Sequence, residues 1–386
     1  MTTASAPKAA DWRQEWFEFE DATYLNTAAQ GAMPKVSLRA TQATLEWKKF
    51  PQLMPDSAYA EIPNRIRASL ARLIGAKAEE IALTTGASGG MAAVAYGLSW
   101  KPGDEIITGK GEFPMQFTNW KPLEEREGVR LRVVAPRERF LTAEDFIDAL
   151  TPKTKLVSAS LVRFDDGSLL DAGRLAAACH AQGAYLLLDA SQCCGAVPLD
   201  VARLGADFLT CAGYKWLLSP YGTGFFWIQS AHIEKMRPGP FYWQALPGAE
   251  RHASLTFEDA KPAPGARRWD SPETGNYFNL GAMDASLEFV LRVGPATVAA
   301  HNAKLIAQLF ERLPRDRCVV ASPQDARQRG PYGCFAARTA EKTAALYERL
   351  RAEKIVVSLR EGSLRVSPHL FNSERDIDRL IAVVTA

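Results

Sequence analysis

The chain has 386 residues, of which 47% are hydrophobic and 23% charged, and its near-zero formal net charge of +2 gives no electrostatic reason to expect a nucleic-acid or membrane partner. No run approaches the ~20 apolar residues of a membrane span, and residues 1–12 lack the apolar segment of a signal peptide. The six cysteines form no CxxC pair, so we expect reduced thiols in a cytoplasmic protein of two domains.

The first two thirds of the chain alternate short apolar strands with helices. An irregular start carries the aromatic residues Trp12, Trp16 and Phe17, which we expect to anchor it. Apolar spacing predicts helices at 37–50, 64–74, 91–98 and 172–182, with another near Asp145. Strands are predicted from residue 81 and at 105–108, 155–161, 185–188 and 208–211. This alternation predicts an α/β fold with a doubly wound, mostly parallel sheet.

The last third has a different pattern. Residues 244–272 are polar and rich in proline and glycine, which predicts a long loop. Helices are predicted at 280–293 and 297–313, followed by strands at 333–337, 356–359 and 364–367 and two more helices. We therefore predict a smaller C-terminal α+β domain. The predicted divisions are an N-terminal segment at 1–30, a large domain at 31–265 and a small domain at 266–386.

Two charged residues lie where ligands bind in such a sheet. Asp189 ends an apolar strand, and Lys215 follows the next strand in a Gly-Tyr-Lys-Trp turn. Taken alone, each residue is more often a helix cap or a solvated side chain. Together they are the pair that pyridoxal 5′-phosphate (PLP) needs, because a lysine amine must form a Schiff base and a carboxylate must hold the pyridine nitrogen protonated.

A glycine-rich loop at residues 84–90 precedes a predicted helix. Free backbone N–H groups at a helix start bind anions such as phosphate. The same letters also fit a plain turn, or the dinucleotide loop of short-chain dehydrogenases. The dehydrogenase alternative is weakened because its Tyr-x-x-x-Lys partner is missing. With Asp189 and Lys215 in the same chain, the loop favours PLP.

The joint pattern resembles the class V aminotransferase family of PLP enzymes, which includes cysteine desulfurases, kynureninases and isopenicillin N epimerase-like proteins. The resemblance extends from the Tyr-Leu-Asn-Thr-Ala-Ala segment at 24–29 to the Arg-Val-Ser-Pro-His segment at 365–369. It implies the fold-type I architecture, with a large αβα domain and a small C-terminal domain. It also implies PLP as cofactor, an amino-acid substrate, and a homodimer with active sites at the interface.

The resemblance further implies roles for individual residues. It implies that Lys215 and Asp189 are catalytic and that Arg365 binds the substrate carboxylate. Asn26 and Arg163 are implied as further substrate contacts. Arg163 reads equally well as a salt-bridged loop arginine. The cofactor contacts implied are Ala87, Ser88, Phe113, Asp189, Gln192, Tyr214, Lys215 and, across a dimer interface, Thr274 and Asn276. Phe113 stands where many relatives have a histidine, and Ala212 where they have a phosphate-binding serine, so this sequence departs from the family pattern at both positions.

Several reactions remain open. We expect aminotransferase-type chemistry, with β-elimination (a C–S or selenocysteine lyase) or amino-acid epimerisation as alternatives. A PLP-binding regulator is the alternative outside enzymes, although the chain shows no basic DNA-binding module. Desulfurases carry sulfur on a loop cysteine, whereas Cys334 lies in a predicted strand. The five histidines are scattered without ligand spacing, so no metal site is predicted.

Overall fold

The computed structural model describes residues 12–239, 242–248, 261–272 and 276–386. Its strands are β1 (Thr23–Tyr24), β2 (Ile81–Thr84), β3 (Glu105–Gly109), β4 (Arg130–Val134), β5 (Thr154–Ser160), β6 (Tyr185–Asp189), β7 (Phe208–Ala212), β8 (Gly224–Ile228), β9 (Cys318–Val320), β10 (Gly333–Ala337), β11 (Ile355–Val356), β12 (Ser358–Arg360) and β13 (Ser363–Val366). Its helices are α1 (Lys35–Lys49), α2 (Ala58–Ile74), α3 (Ala87–Gly97), α4 (Met115–Thr118), α5 (Lys121–Glu127), α6 (Ala143–Ile147), α7 (Ala172–Ala181), α8 (Val201–Leu204), α9 (Ser230–Ile233), α10 (Tyr277–Val293), α11 (Pro295–Arg312), α12 (Ala340–Ala352) and α13 (Glu374–Thr385).

The large sheet has seven strands in the order β2-β8-β7-β6-β5-β3-β4. The five strands from β7 to β4 are parallel, whereas β8 runs antiparallel to both β7 and β2. Strands β6, β7 and β8 are almost wholly buried, as expected for apolar runs covered by helices on both faces. The predicted α/β fold with a mostly parallel, doubly wound sheet is confirmed.

The C-terminal part forms a second, antiparallel sheet in the order β12-β13-β10-β9. Helices α11, α12 and α13 share an apolar core with it. Helix α10 instead packs on α1 and α2 of the large domain, where the hydroxyls of Ser37 and Ser286 are 2.7 Å apart. The domain boundary at 265/266 remains a prediction.

The N-terminal segment packs against α10 and the residues that follow β13, and its strand β1 forms a separate two-stranded sheet with β11. The Trp16 ring packs edge-on against Phe289, His369 and Phe371, while β1 pairs in parallel with β11. Trp16 is buried, but Phe17 is 60% exposed, so the predicted anchor role of Phe17 is wrong. Within the described residues, none of the helices is both long and apolar enough to cross a membrane.

Candidate active site

Asp189 and Lys215 lie at the same edge of the large sheet. Asp189 is the last residue of β6 and pairs with Thr210 on the neighbouring parallel strand β7. Lys215 follows the end of β7 in a short turn. Because parallel strands end at the same edge, the two side chains face the same region above β6 and β7. The sequence predicted this placement.

Both charges are buried. Lys215 is 8% exposed, and its Nζ atom makes no hydrogen bond to any described residue. Burial lowers the pKa of Lys215 to about 8, with the Arg365 charge adding to the effect and Asp189 opposing it. Burial likewise raises the pKa of Asp189, and the Lys215 charge opposes this. No ion pair joins the two residues, so each charge acts on the other across a gap.

The turn that carries Lys215 is fixed by close backbone packing. Gly31 donates its N–H to the Tyr214 carbonyl at 2.8 Å. A Cβ atom on Gly31 would lie 1.9 Å from the Lys215 carbonyl oxygen, so only glycine fits there. After the turn, Leu218 has a positive φ of 55°, a strained conformation held by a hydrogen bond from Ser286 to its carbonyl. The N-terminal segment and α10 therefore position the lysine.

Phe113 lies beside the lysine. The Lys215 Nζ atom is 5.4 Å from the Phe113 ring centroid, and Phe113 is 39% exposed. The rings of Phe164 and Phe113 make a T-shaped contact with their centroids 5.5 Å apart. Sequence reasoning assigned Phe113 to the face of the cofactor ring, and this position is compatible with that role.

Behind Phe113, the buried carboxylate of Glu112 accepts two hydrogen bonds from Ser160, from the backbone N–H at 3.0 Å and the hydroxyl at 2.5 Å. Burial raises the pKa of Glu112, while the nearby Arg163 charge lowers it. Arg163 is 3.8 Å from Glu112, 2.8 Å from Asp165 and 3.8 Å from Asp166. Three carboxylates therefore offset the Arg163 charge, an arrangement typical of a structural arginine. Its substrate role remains a prediction.

The start of α3 faces the same edge of the sheet. The Ala87 carbonyl accepts a hydrogen bond from Thr210 Oγ1 at 2.7 Å, which ties the helix start to β7. No side chain caps the helix, and Ser88 is exposed. The Ser88 hydroxyl donates to Met115 Sδ at 3.7 Å, and the Gly89 N–H donates to the Gly86 carbonyl at 3.1 Å. A helix start of this kind can bind an anion, but a phosphate contact from Ala87 and Ser88 remains a prediction.

The remaining predicted cofactor contacts differ in how near they lie to Lys215 and in how far they are buried. Gln192 is buried, donating to the Ala28 carbonyl at 3.2 Å and accepting from Trp216 at 3.4 Å. The Tyr214 ring is 5.6 Å from Lys215 Nζ. Asn276 is exposed and caps α10, and it borders a cavity of about 190 Å³ that Thr84 and Thr85 also line. Thr274 lies outside the described residues.

Arg365 and Asn26 lie on the small-domain side. Arg365 is 2% exposed, donates one hydrogen bond from Nη1 to the Phe164 carbonyl at 2.8 Å, and leaves Nε without a partner. A buried guanidinium with an unused donor is suited to a carboxylate. Asn26 accepts a hydrogen bond from the Ser358 hydroxyl at 2.7 Å, which joins the N-terminal segment to β12.

Sequence reasoning missed two residues that shape this region. The sequence analysis did not single out Glu112, a carboxylate that stands directly before Phe113 in the loop after β3. Tyr332 lies under Arg365, whose guanidinium carbon is 5.5 Å from the Tyr332 ring centroid, and the Tyr332 hydroxyl donates to the Arg163 carbonyl. No pattern in the sequence pointed to Tyr332. Among the residues that the structure describes, no cluster of three or more potential metal ligands is found.

Comparison with known proteins places the chain in a family. The family model described as aminotransferase class-V matches residues 23–380. The isopenicillin N epimerase of Streptomyces clavuligerus is 28% identical over 380 residues, which cover 94% of each protein. A probable cysteine desulfurase of Ureaplasma parvum is 25% identical, covering 97% of this chain and 96% of the relative.

Solved structures share the fold. A C-DES variant with glycine covalently linked to its PLP cofactor matches with a TM-score of 0.87 at 21% identity, covering 97% of this chain and 99% of the other. The apo cysteine desulfurase of Thermococcus onnurineus matches with a TM-score of 0.84 at 20% identity, covering 99% and 98%. The chain belongs to the aminotransferase class-V family, whose cofactor is PLP, and both sequence predictions are confirmed.

Proposed function

We propose that this chain acts at the α-carbon of an amino acid through PLP held by Lys215. The observation that carries the proposal is the Lys215 amine itself, which is buried, free of hydrogen bonds within the described residues, and opposite the buried carboxylate of Asp189. A pKa of about 8 keeps a substantial part of this amine neutral near physiological pH, and the neutral form is the nucleophile.

The residues around Lys215 fit PLP. Asp189 would hold the pyridine nitrogen, Phe113 would cover one face of the ring, and the start of α3 at Ala87 and Ser88 would hold the phosphate. Gln192 and Tyr214 would complete the contacts. When bound, PLP draws electrons away from the α-carbon of an attached amino acid.

The chain's own groups account for the remaining steps. Lys215, once displaced from the cofactor by the substrate amine, would accept the α-proton on Nζ. Among the described residues, no histidine contacts Lys215, and Phe113, which lies beside the lysine, cannot transfer protons. Asp189, ionised by a cationic partner, would stabilise positive charge on the ring nitrogen. Arg365 would grip the α-carboxylate, with Asn26 nearby.

Transamination is the reaction we propose first, in which Lys215 returns the proton to the cofactor side. Epimerisation is the second candidate, because the isopenicillin N epimerase aligns with 94% of the chain. In that reaction the α-carbon would be reprotonated on the face opposite the one that lost its proton, so a proton donor other than Lys215 would have to reach that face. β-Elimination differs only in that a side-chain leaving group departs after the α-proton is lost.

Assembly and location belong to the same proposal. The side chains of Leu45, Phe50 and Leu53 are exposed together at the end of α1 and just beyond it, which favours burial against a second copy in a homodimer. The six cysteines are free and buried, which favours a reducing compartment such as the cytoplasm.

The experiment combines labelling with product analysis. Borohydride reduction of the PLP-loaded protein followed by peptide mapping should label Lys215, and the variant Lys215→Met should lose both the label and turnover. Label on Lys110 or Lys121 would contradict the assignment. A separate, unreduced sample of the PLP-loaded protein should then be tested on a panel of amino acids, measuring keto acid, loss of optical activity, and pyruvate with sulfide in parallel.

A further inference from the structure

A tight hairpin joins β12 and β13 at the small-domain side of the site. Its two loop residues, Glu361 and Gly362, both have positive φ, at 44° and 76°, as a two-residue turn of this kind requires. In the ladder, Ser358 pairs with Arg365. Residues directly opposite one another, and residues two apart on a strand, share a face of the sheet. Ser358, Arg360 and Arg365 therefore project on the same side.

That side faces the proposed active site. The Ser358 hydroxyl donates to Asn26, and Arg365 donates to the carbonyl of Phe164, whose ring packs on Phe113. The charges of Arg365 and Arg360 both act on Lys215, lowering its pKa. Arg365 is buried at the floor of this face, whereas Arg360 is exposed at its rim.

The two hairpin arginines differ from Arg163 in their counter-charges. Arg163 has three carboxylates within ion-pair distance. Neither Arg360 nor Arg365 forms an ion pair with any residue that the structure describes. The hydrogen bond found for the Arg360 guanidinium runs to its own neighbour, the Leu359 carbonyl at 3.2 Å. Among the described residues, this face of the hairpin therefore carries two positive charges with no carboxylate within ion-pair distance, and the charge of Asp165 acts on Arg365 only from farther away.

We propose that Arg360 binds a second anionic group on the substrate, so that the preferred substrate is an amino acid with an acidic side chain. This inference rests on the proposed function, in which Arg365 takes the α-carboxylate. Arg360 lies diagonally across the ladder from Arg365, a Cα spacing of about 7–8 Å that two long side chains can bridge onto one small dicarboxylate. The planar guanidinium suits a carboxylate, because it offers paired donors.

The test compares the ratio of kcat/KM for glutamate over glutamine, and for aspartate over asparagine, in the PLP-loaded enzyme. Arg360→Gln should lower these ratios about two- to fivefold, the scale of an exposed charge pair. Loss of the Arg360 charge also raises the pKa of Lys215. This change affects turnover of acidic and neutral substrates alike, so the ratio of their kcat/KM values isolates the effect on the acidic side chain. Arg360→Lys keeps the charge but not the fork, so it should give intermediate ratios. Arg338→Gln is the matched control, since Arg338 is exposed in the same domain and bonds backbone carbonyls of Arg315 and Asp316.

A binding measurement provides a readout independent of turnover. Calorimetric titration of the PLP-loaded protein with glutarate and with butyrate should show tighter binding of glutarate, and Arg360→Gln should remove the difference. Unchanged ratios in Arg360→Gln, or equal affinity of the wild type for the two acids, would overturn the inference while leaving the proposed function intact. A protein that retained no PLP on Lys215 would overturn both.

Discussion

The Lys215 amine lies 5.4 Å from the centre of the Phe113 ring, and the Phe113 ring in turn makes a T-shaped contact with the Phe164 ring. The Phe164 carbonyl accepts the hydrogen bond of Arg365. One continuous set of contacts therefore joins the lysine, the aromatic face and the carboxylate-binding arginine. Phe113 comes from the loop after β3, and Arg365 comes from the small domain. The contacts through Phe164 therefore connect the two sheets across the proposed site.

Replacing Phe113 tests its proposed place over the cofactor ring. An aromatic contact of this kind contributes about 0.5–1.5 kcal/mol beyond burial, so Phe113→Ala should raise the dissociation constant for PLP about two- to tenfold. Phe113→Tyr should stay near the wild-type value because it keeps the ring. Phe17→Ala is the control, since Phe17 is 60% exposed and its ring lies by Lys35. Equal PLP affinity in Phe113→Ala and the control would remove Phe113 from the cofactor site.

The lowered pKa of Lys215 predicts a pH profile for cofactor uptake. The PLP aldehyde reacts with the neutral amine, so the rate of PLP incorporation into the apoprotein should increase with pH. The midpoint of this increase should lie near the Lys215 pKa of about 8, and not near the ordinary lysine value of 10.5. Arg365 lowers this pKa and Asp189 raises it. Arg365→Gln should therefore move the midpoint up, and Asp189→Asn should move it down. Stopped-flow absorbance measures the rates, and a wild-type midpoint above pH 10 would contradict the electrostatic argument.

Asp189→Asn should retain PLP but lose most turnover. The amide still reaches the ring nitrogen, yet it no longer favours the protonated ring, and each pKa unit lost there is worth about 1.4 kcal/mol. Asp189 also accepts the Ser191 N–H at 2.9 Å, which the amide oxygen preserves. PLP content from the absorption spectrum and turnover on the best substrate are the two measurements. Near-normal turnover would place the partner of the ring nitrogen elsewhere.

The sequence predicted five of the seven strands of the large sheet because their apolar runs are local signals, but it missed β4 and β8. It failed where the hydrogen-bonding partners of a strand are distant in the sequence. The strand predicted at 356–359 is broken, since Ile355–Val356 pairs with the N-terminal β1, whereas Ser358–Arg360 pairs with β13. The helix predicted at 64–74 begins at Ala58 and contains Pro63. The packing of α2 against α10 stabilises the helix across Pro63, and no local sequence pattern indicates this packing.

The predicted loop at 244–272 also contains more structure than its composition suggested. Residues Gly265–Trp269 form a 3₁₀ turn, and Asp270 makes a buried ion pair with Arg67. In the site, Asp189 and Lys215 were predictable because a sheet edge follows from strand order. The counter-charges of Arg163 were not, since its ion pair with Glu112 depends on the three-dimensional path of two separate loops.

Cys334 is not expected to carry sulfur. It pairs with Arg365 in the ladder between β10 and β13, is fully buried, and burial raises its pKa to about 12. A buried thiol with so little thiolate is a poor nucleophile. Cys334→Ala should keep most activity on the true substrate, with a modest stability loss from the small cavity. A folded, PLP-loaded but inactive Cys334→Ala protein would revive a desulfurase mechanism.

His369 should make the protein sensitive to acid. Its ring is 1% exposed between Trp16 and Trp216, neither ring nitrogen has a hydrogen-bond partner, and burial lowers its pKa from 6.5 to about 3. As the pH falls below 6.5, the unfolded chain therefore binds a proton that the folded protein excludes, and stability declines until about pH 3. His369→Phe removes this titration and two unsatisfied nitrogens, so it should stabilise the protein by about 2 kcal/mol more at pH 5 than at pH 8. Urea unfolding at both pH values measures the difference, and His369→Ala separates it from ring packing. An equal effect of His369→Phe at the two pH values would show that the imidazole is already charged or hydrogen-bonded in the folded state.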